Sequence, residues 1–75
     1  MNVIQYVNKR SRELGFFAFD VRGPNRRVSL VRARQIIAAE LRAAPWSMSL
    51  PEIARAIGRR DHTSALWWLR GGKHK

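Results

Sequence analysis

Between Gly58 and Ala65 the chain reads Arg59-Arg60-Asp61-His62-Thr63-Ser64, which is two guanidinium groups, a carboxylate, an imidazole and two hydroxyls in succession. Such a set can pair with the edges of nucleic-acid bases. A carboxylate accepts from the amino group of cytosine, a threonine methyl matches that of thymine, and hydroxyls or an imidazole pair with several base edges. The same residues could instead form no more than a polar, well-capped, solvated turn. For catalysis the chain is poorly equipped, because its five carboxylates are scattered and no Ser/His/Asp arrangement is suggested. No enzyme is expected, a small nuclease included.

To meet bases, this patch must stand at the start of a helix, and its flanks supply one. Ser49 lies three residues before Glu52, the spacing of a capping box in which the hydroxyl accepts from the Glu52 amide and the carboxylate reaches back to the Ser49 amide. Pro51 falls in the first turn, Met48 and Ile53 are placed for a hydrophobic staple, and Leu50, Ile53, Ala54 and Ile57 recur at helical spacing. Gly58 ends this helix. Asp61 can cap a second one through Ala65, Leu66 and Leu69, leaving 58–60 as the turn of a helix–turn–helix. The start of that second helix carries unpaired N–H groups and positive dipole, and it is the end that enters the major groove in this motif.

The string SLPEIARAIGRRDHTSAL resembles the signature of the C-terminal DNA-binding domain of the bacterial replication initiator DnaA: S-L-P-E-I-G, a variable pair, then F-G-G-R-D-H-T-T-V-L. VRARQ at Val31–Gln35 matches the Arg-Gln that opens the long helix of that domain, and GPNRRVSL matches its basic loop, so the resemblance runs from roughly Val3 to Arg70. It implies an all-α domain of four to five helices containing the helix–turn–helix, and binding of double-stranded DNA. It further implies that Arg26 and Arg27 enter the minor groove, where a narrow A·T-rich groove concentrates negative potential. Arg34 and Gln35 would contact the DNA backbone, with Arg42 near a basic position of the same task. Arg60, Asp61, His62, Thr63 and Ser64 would face the major groove, flanked by Arg59. Departures from the family pattern at Arg59, Ser64 and Ala65 bear on which sequence is read.

The remaining segments must hold these residues in place. Asn2 to Leu14 reads as a basic amphipathic helix that Asn2 caps and Gly15 ends; the other reading is a targeting or membrane-surface helix. Phe16–Val21 has strand propensity but no partner strand. By the resemblance it is a short helix whose phenylalanines fill the core, with a packed loop as the alternative. Arg22–Ser29 is a loop by its Gly, Pro and Asn, and its charges could alternatively contact phosphate without preference. Leu30–Ala44 is the longest helix, capped by Ser29 and ended by Pro45, with Ala33, Ile36, Ile37, Leu41 and Ala44 facing inward. On it Arg34, Ala38 and Arg42 share a face, a row of guanidinium groups able to grip successive phosphates. Pro45–Met48 connects to the motif, with Trp46 either covering the core edge or exposed.

At 75 residues this is one small domain with a flexible tail at about 71–75. The net charge of +10 calls for a polyanionic partner, nucleic acid before an anionic membrane. With no cysteine and two histidines, no metal or other cofactor is expected. Neither a membrane-length apolar run nor a secretory signal is visible, which places the expected chain in the cytoplasm, associated with the nucleoid. There is no G-x-x-x-x-G-K-[ST] phosphate loop, so neither nucleotide binding nor a complete initiator is expected. The expected function is transcriptional regulation, as a separate module or part of a larger or phage-derived activator. The alternatives are competition with the initiator at replication origins, non-specific nucleic-acid binding, and recruitment. Recruitment would use Trp67 or Trp68: Leu66 and Leu69 already supply a core stripe, so one indole should be exposed and able to dock a transcription or replication protein.

Overall fold

Backbone groups left unpaired at helix ends need partners, and in this chain nearby side chains and glycines supply them. The computed structural model describes residues 1–59 and 62–70. The expected cap at Asp61, the expected base reader Arg60 and the expected tail at 71–75 lie outside the described residues. Among those described there are five helices and no strand: α1 Val3–Glu13, α2 Ala18–Arg22, α3 Val28–Arg42, α4 Leu50–Ala56 and α5 His62–Leu69.

Capping boxes open two of these helices. Asn2 Oδ1 accepts from the Gln5 amide at 2.9 Å while the Asn2 amide donates to Gln5 Oε1 at 3.0 Å. Ser49 and Glu52 repeat the exchange ahead of α4, with the Ser49 amide donating to Glu52 Oε1 at 2.8 Å. Glycines in the left-handed region close the same two helices. Gly15 at φ 92° and Gly58 at φ 83° each allow the next residue to turn back: the Phe16 amide donates to the Ser11 carbonyl at 2.9 Å, and the Arg59 amide to the Ala54 carbonyl at 2.7 Å. The helix α3 differs from expectation. It begins two residues earlier, at Val28, because Asn25 Oδ1 accepts from the Arg27 amide at 2.9 Å and folds the loop before Ser29 can cap anything. It ends at Arg42, ahead of Pro45.

The core is assembled around α3, which packs against all four other helices, while α4 and α5 pack on each other. Val7, Val21, Leu30, Ile37, Leu41, Ile53, Ile57, Ala65 and Trp68 form its centre. Trp46 lies against its edge, with its ring 5.4 Å from that of Tyr6. Three expectations of burial are corrected. Phe17 and Phe19 are 76% and 85% exposed, since α2 directs Val21 inward and Phe16 alone of the phenylalanines packs on the core. Ile36 and Ala44 are exposed, and Arg34 occupies the inner face of α3 beside Ala33 and Ile37. On α5 the buried line is Ala65–Trp68, not Leu66–Leu69, because small Ala65 lets the helix approach its neighbours and Trp68 fills the space one turn on.

A polar clasp ties α1 to α3. Tyr6 Oη donates to Glu40 Oε1 at 2.6 Å, and Arg10 donates through Nε and Nη2 to the two oxygens of Glu40 at 2.9 and 2.7 Å. The Arg10 bonds hold the Glu40 carboxyl below its ordinary value, whereas burial first, and then the Glu40 bond, push the Tyr6 hydroxyl up to about 12. Glu40, lowered on folding, stabilises above the unfolded carboxylate pKa and loses that contribution as pH falls through its folded value. Tyr6, raised on folding, stabilises below its ordinary 10.0 and loses that contribution as pH rises through about 12.

Since Tyr6 is the chain's single tyrosine, tyrosinate absorbance should titrate near 12 in the folded protein and near 10.0 in denaturant; a folded midpoint at the ordinary value would contradict the clasp. The glycines supply a second expectation. A Cβ at Gly15 meets nothing, so Gly15→Ala should cost about 1–2 kcal/mol from the left-handed backbone alone. A Cβ at Gly58 runs into the Arg22 carbonyl, so Gly58→Ala should cost distinctly more in a denaturant melt.

Candidate nucleic-acid interface

The carbonyls at the end of α2 have no continuing helix to accept from, and Arg34 reaches them from the inner face of α3. Its Nε donates to the Val21 carbonyl at 2.8 Å, and its Nη2 lies 3.0 Å from the Asp20 carbonyl, 3.1 Å from that of Gly23 and 2.6 Å from that of Asn25. One guanidinium therefore caps α2 and fixes the loop that carries Arg26 and Arg27. The expectation that Arg34 forms part of a surface phosphate grip is corrected: it is 2% exposed, and its donors are turned to backbone carbonyls. Desolvation, followed by the nearby charge of Arg59, lowers its pKa.

Gly58 seats the helix–turn–helix against this assembly. The absence of a side chain there brings the turn onto the Arg22 carbonyl, which also accepts from Arg59 Nη1 at 3.3 Å. Arg59 then lies with its guanidinium carbon 5.9 Å from the Trp68 ring centre, over the last turn of α5. Burial and the charge of Arg26 lower the Arg59 pKa.

These contacts shape a cleft of about 440 Å³ between the basic loop and the start of α5. Arg26, Arg34 and Arg59 line it, together with Thr63, Ser64 and the two tryptophans. A second hollow of about 290 Å³ lies beside it, lined by Arg22, Gly23 and Pro24 and sharing Arg26 and Arg59. The sequence-predicted residues of the loop and of the motif are thus brought to one place. His62 and Thr63 are exposed on the first turn of α5, and Ser64 is half-buried behind them. Arg60 and Asp61 lie outside the described residues.

Other predicted residues stand elsewhere. Arg27 is exposed at the cap of α3, and Gln35 is half-buried on that helix. Arg42 is exposed two turns beyond Arg34, where its Nη1 donates to the Met48 carbonyl at 3.0 Å. No row of Arg34 and Arg42 forms on the surface. The expected exposed indole is also corrected: Trp68 is 5% exposed under Arg59, and Trp67 is half-buried along the cleft. What the sequence reading missed is Arg22, whose carbonyl joins α2 to the turn; its place at the end of a short helix leaves no signal in composition.

No helix among the described residues is long and apolar enough to cross a membrane. Neither a curated protein nor a solved structure matches the chain. The helix–turn–helix family of the bacterial dnaA protein does, over residues 3–68, which takes in the clasp, the basic loop and the motif. Most of the chain is covered by that match, and the chain belongs to the bacterial dnaA helix–turn–helix family.

Proposed function

We propose that this chain binds double-stranded DNA with sequence preference, reading two grooves from one face, and that it serves transcriptional regulation. The observation that carries this reading is the cleft shared by Arg26, Arg59, Thr63 and Ser64, which joins the basic loop to the first turn of α5. His62, Thr63 and Ser64 of α5 face the major groove, with Arg60 and Asp61, outside the described residues, as further base readers. Arg26 and Arg27 reach the adjacent minor groove, while Gln35 and Arg42 hold phosphates outside it.

Arg34 serves this surface from within by fixing the loop, not by touching DNA. The family and the net charge of +10 both favour a nucleic acid partner. Occupying a site is enough to regulate a promoter, whereas opening an origin requires work from a nucleotide-driven module. Transcriptional control is therefore preferred to competition at origins.

Selection of sites from a random duplex pool should return a defined sequence. On that site His62→Ala or Thr63→Ala should cost about 1–3 kcal/mol, with little loss on random duplex. Arg26→Ala should weaken both, and more on A·T-rich flanks than on G·C-rich ones. Equal losses on selected and random duplex for His62→Ala and Thr63→Ala would contradict base reading by α5.

A further inference from the structure

Arg26, Arg34 and Arg59 converge on one cleft, and no carboxylate of the described residues lines it. Three like charges in a partly desolvated space are mutually unfavourable, and the cost is relieved when an anion enters. Arg34 is held in place by carbonyls through its Nε and Nη2. Arg26 is exposed on the loop, so it can adjust to a ligand. Arg59 is held differently, by one long bond of 3.3 Å from Nη1 to the Arg22 carbonyl and by the face of Trp68. Those contacts fix the plane of its guanidinium, and no hydrogen bond from Nη2 or Nε is among those described. A planar fork held by its aromatic neighbour beside hydroxyl-bearing Thr63 and Ser64 suits a tetrahedral oxyanion.

We propose that Arg59 is a phosphate-binding residue that seats a single backbone phosphate of the duplex in the cleft between the basic loop, whose Arg26 continues into the minor groove, and α5. This rests on the reading of the protein as a DNA binder. It adds a definite place for the strand: a chain whose loop enters one groove and whose helix enters the next must straddle the sugar–phosphate backbone between them, and the cleft lies there. The phosphate relieves the repulsion among the three guanidinium groups. Binding at both grooves is thereby coupled through one contact that carries no sequence information.

The test uses the whole chain and a set of selected duplexes, each carrying one neutral methylphosphonate in place of a phosphate. Wild type should lose about tenfold in affinity at one position between the two grooves. Arg59→Gln should be weaker on the unmodified duplex, should show a salt slope lower by about one unit, and should be indifferent to the methylphosphonate at that same position. Arg59→Lys, which keeps the charge, should retain the slope while losing part of the affinity. Overlap of the circular dichroism melts would show that these variants fold.

Undiminished affinity of wild type at every methylphosphonate position between the grooves would overturn the proposal without need of a variant. So would a wild-type salt slope in Arg59→Gln. Inorganic phosphate or pyrophosphate raising the melting temperature of wild type but not of Arg59→Gln, with no position-specific methylphosphonate effect, would assign the cleft to a free anion and also overturn it. If these results came with intact losses for His62→Ala on the selected site, DNA reading would stand and the phosphate seat alone would fall.

Discussion

Buried guanidinium groups are costly unless their donors find acceptors, and Arg34 turns its Nε and Nη2 to the carbonyls of Asp20, Val21, Gly23 and Asn25. Most of the architecture follows from that arrangement. The last carbonyls of α2 are left over by a helix of five residues, and those of Gly23 and Asn25 belong to a loop with no ladder of its own. By satisfying all four from α3, Arg34 makes the loop an extension of the core. The loop therefore projects Arg26 from a fixed base and not from a free tether. Truncating Arg34 would remove its bonds to these carbonyls, leave that of buried Val21 without the guanidinium and release the loop.

The helix–turn–helix is attached to the same base by close backbone approach. Gly58 turns the chain and permits contact with the Arg22 carbonyl, while Arg59 spans from that carbonyl to Trp68. Loop and motif are thus referred to one short helix, α2. On the proposed reading, rigid spacing between loop and motif matters because both must fit a duplex whose groove separation is set by its own geometry. Desolvation first, and then the charge of a neighbouring guanidinium, lowers the pKa of Arg34 and of Arg59, so burial and accumulated positive charge both oppose this arrangement in the free protein. A polyanion removes the opposition from charge.

Local signals in the chain were readable wherever a few neighbouring residues decide the outcome. Ser49 with Glu52, Asn2 as a cap, and Gly15 and Gly58 as stops all act within one turn, and the helices they bound occur as expected. Burial decided by distant partners was not readable. Arg34 looks like a surface cation until the unpaired carbonyls of α2 are seen. Phe17 and Phe19 look like core until α2 turns Val21 inward, and the adjacent tryptophans sort themselves only once Ala65 sets how closely α5 approaches. Ser29 does not cap α3, because the helix starts at Val28 with Arg27 at the cap position, after a loop turned by the Asn25 side chain. For the site, the identity of the residues was visible beforehand, but their convergence on one cleft was not.

Amide chemical shifts of the labelled protein, followed while a selected duplex is added, test the shared reading surface most directly. The account predicts that the largest changes fall together on Arg26 and Arg27 in the loop, on Arg59, and on His62, Thr63 and Ser64, with the exposed faces of α1 and of Phe17 and Phe19 unmoved. Changes confined to α1 or α2, or to the loop without α5, would contradict it.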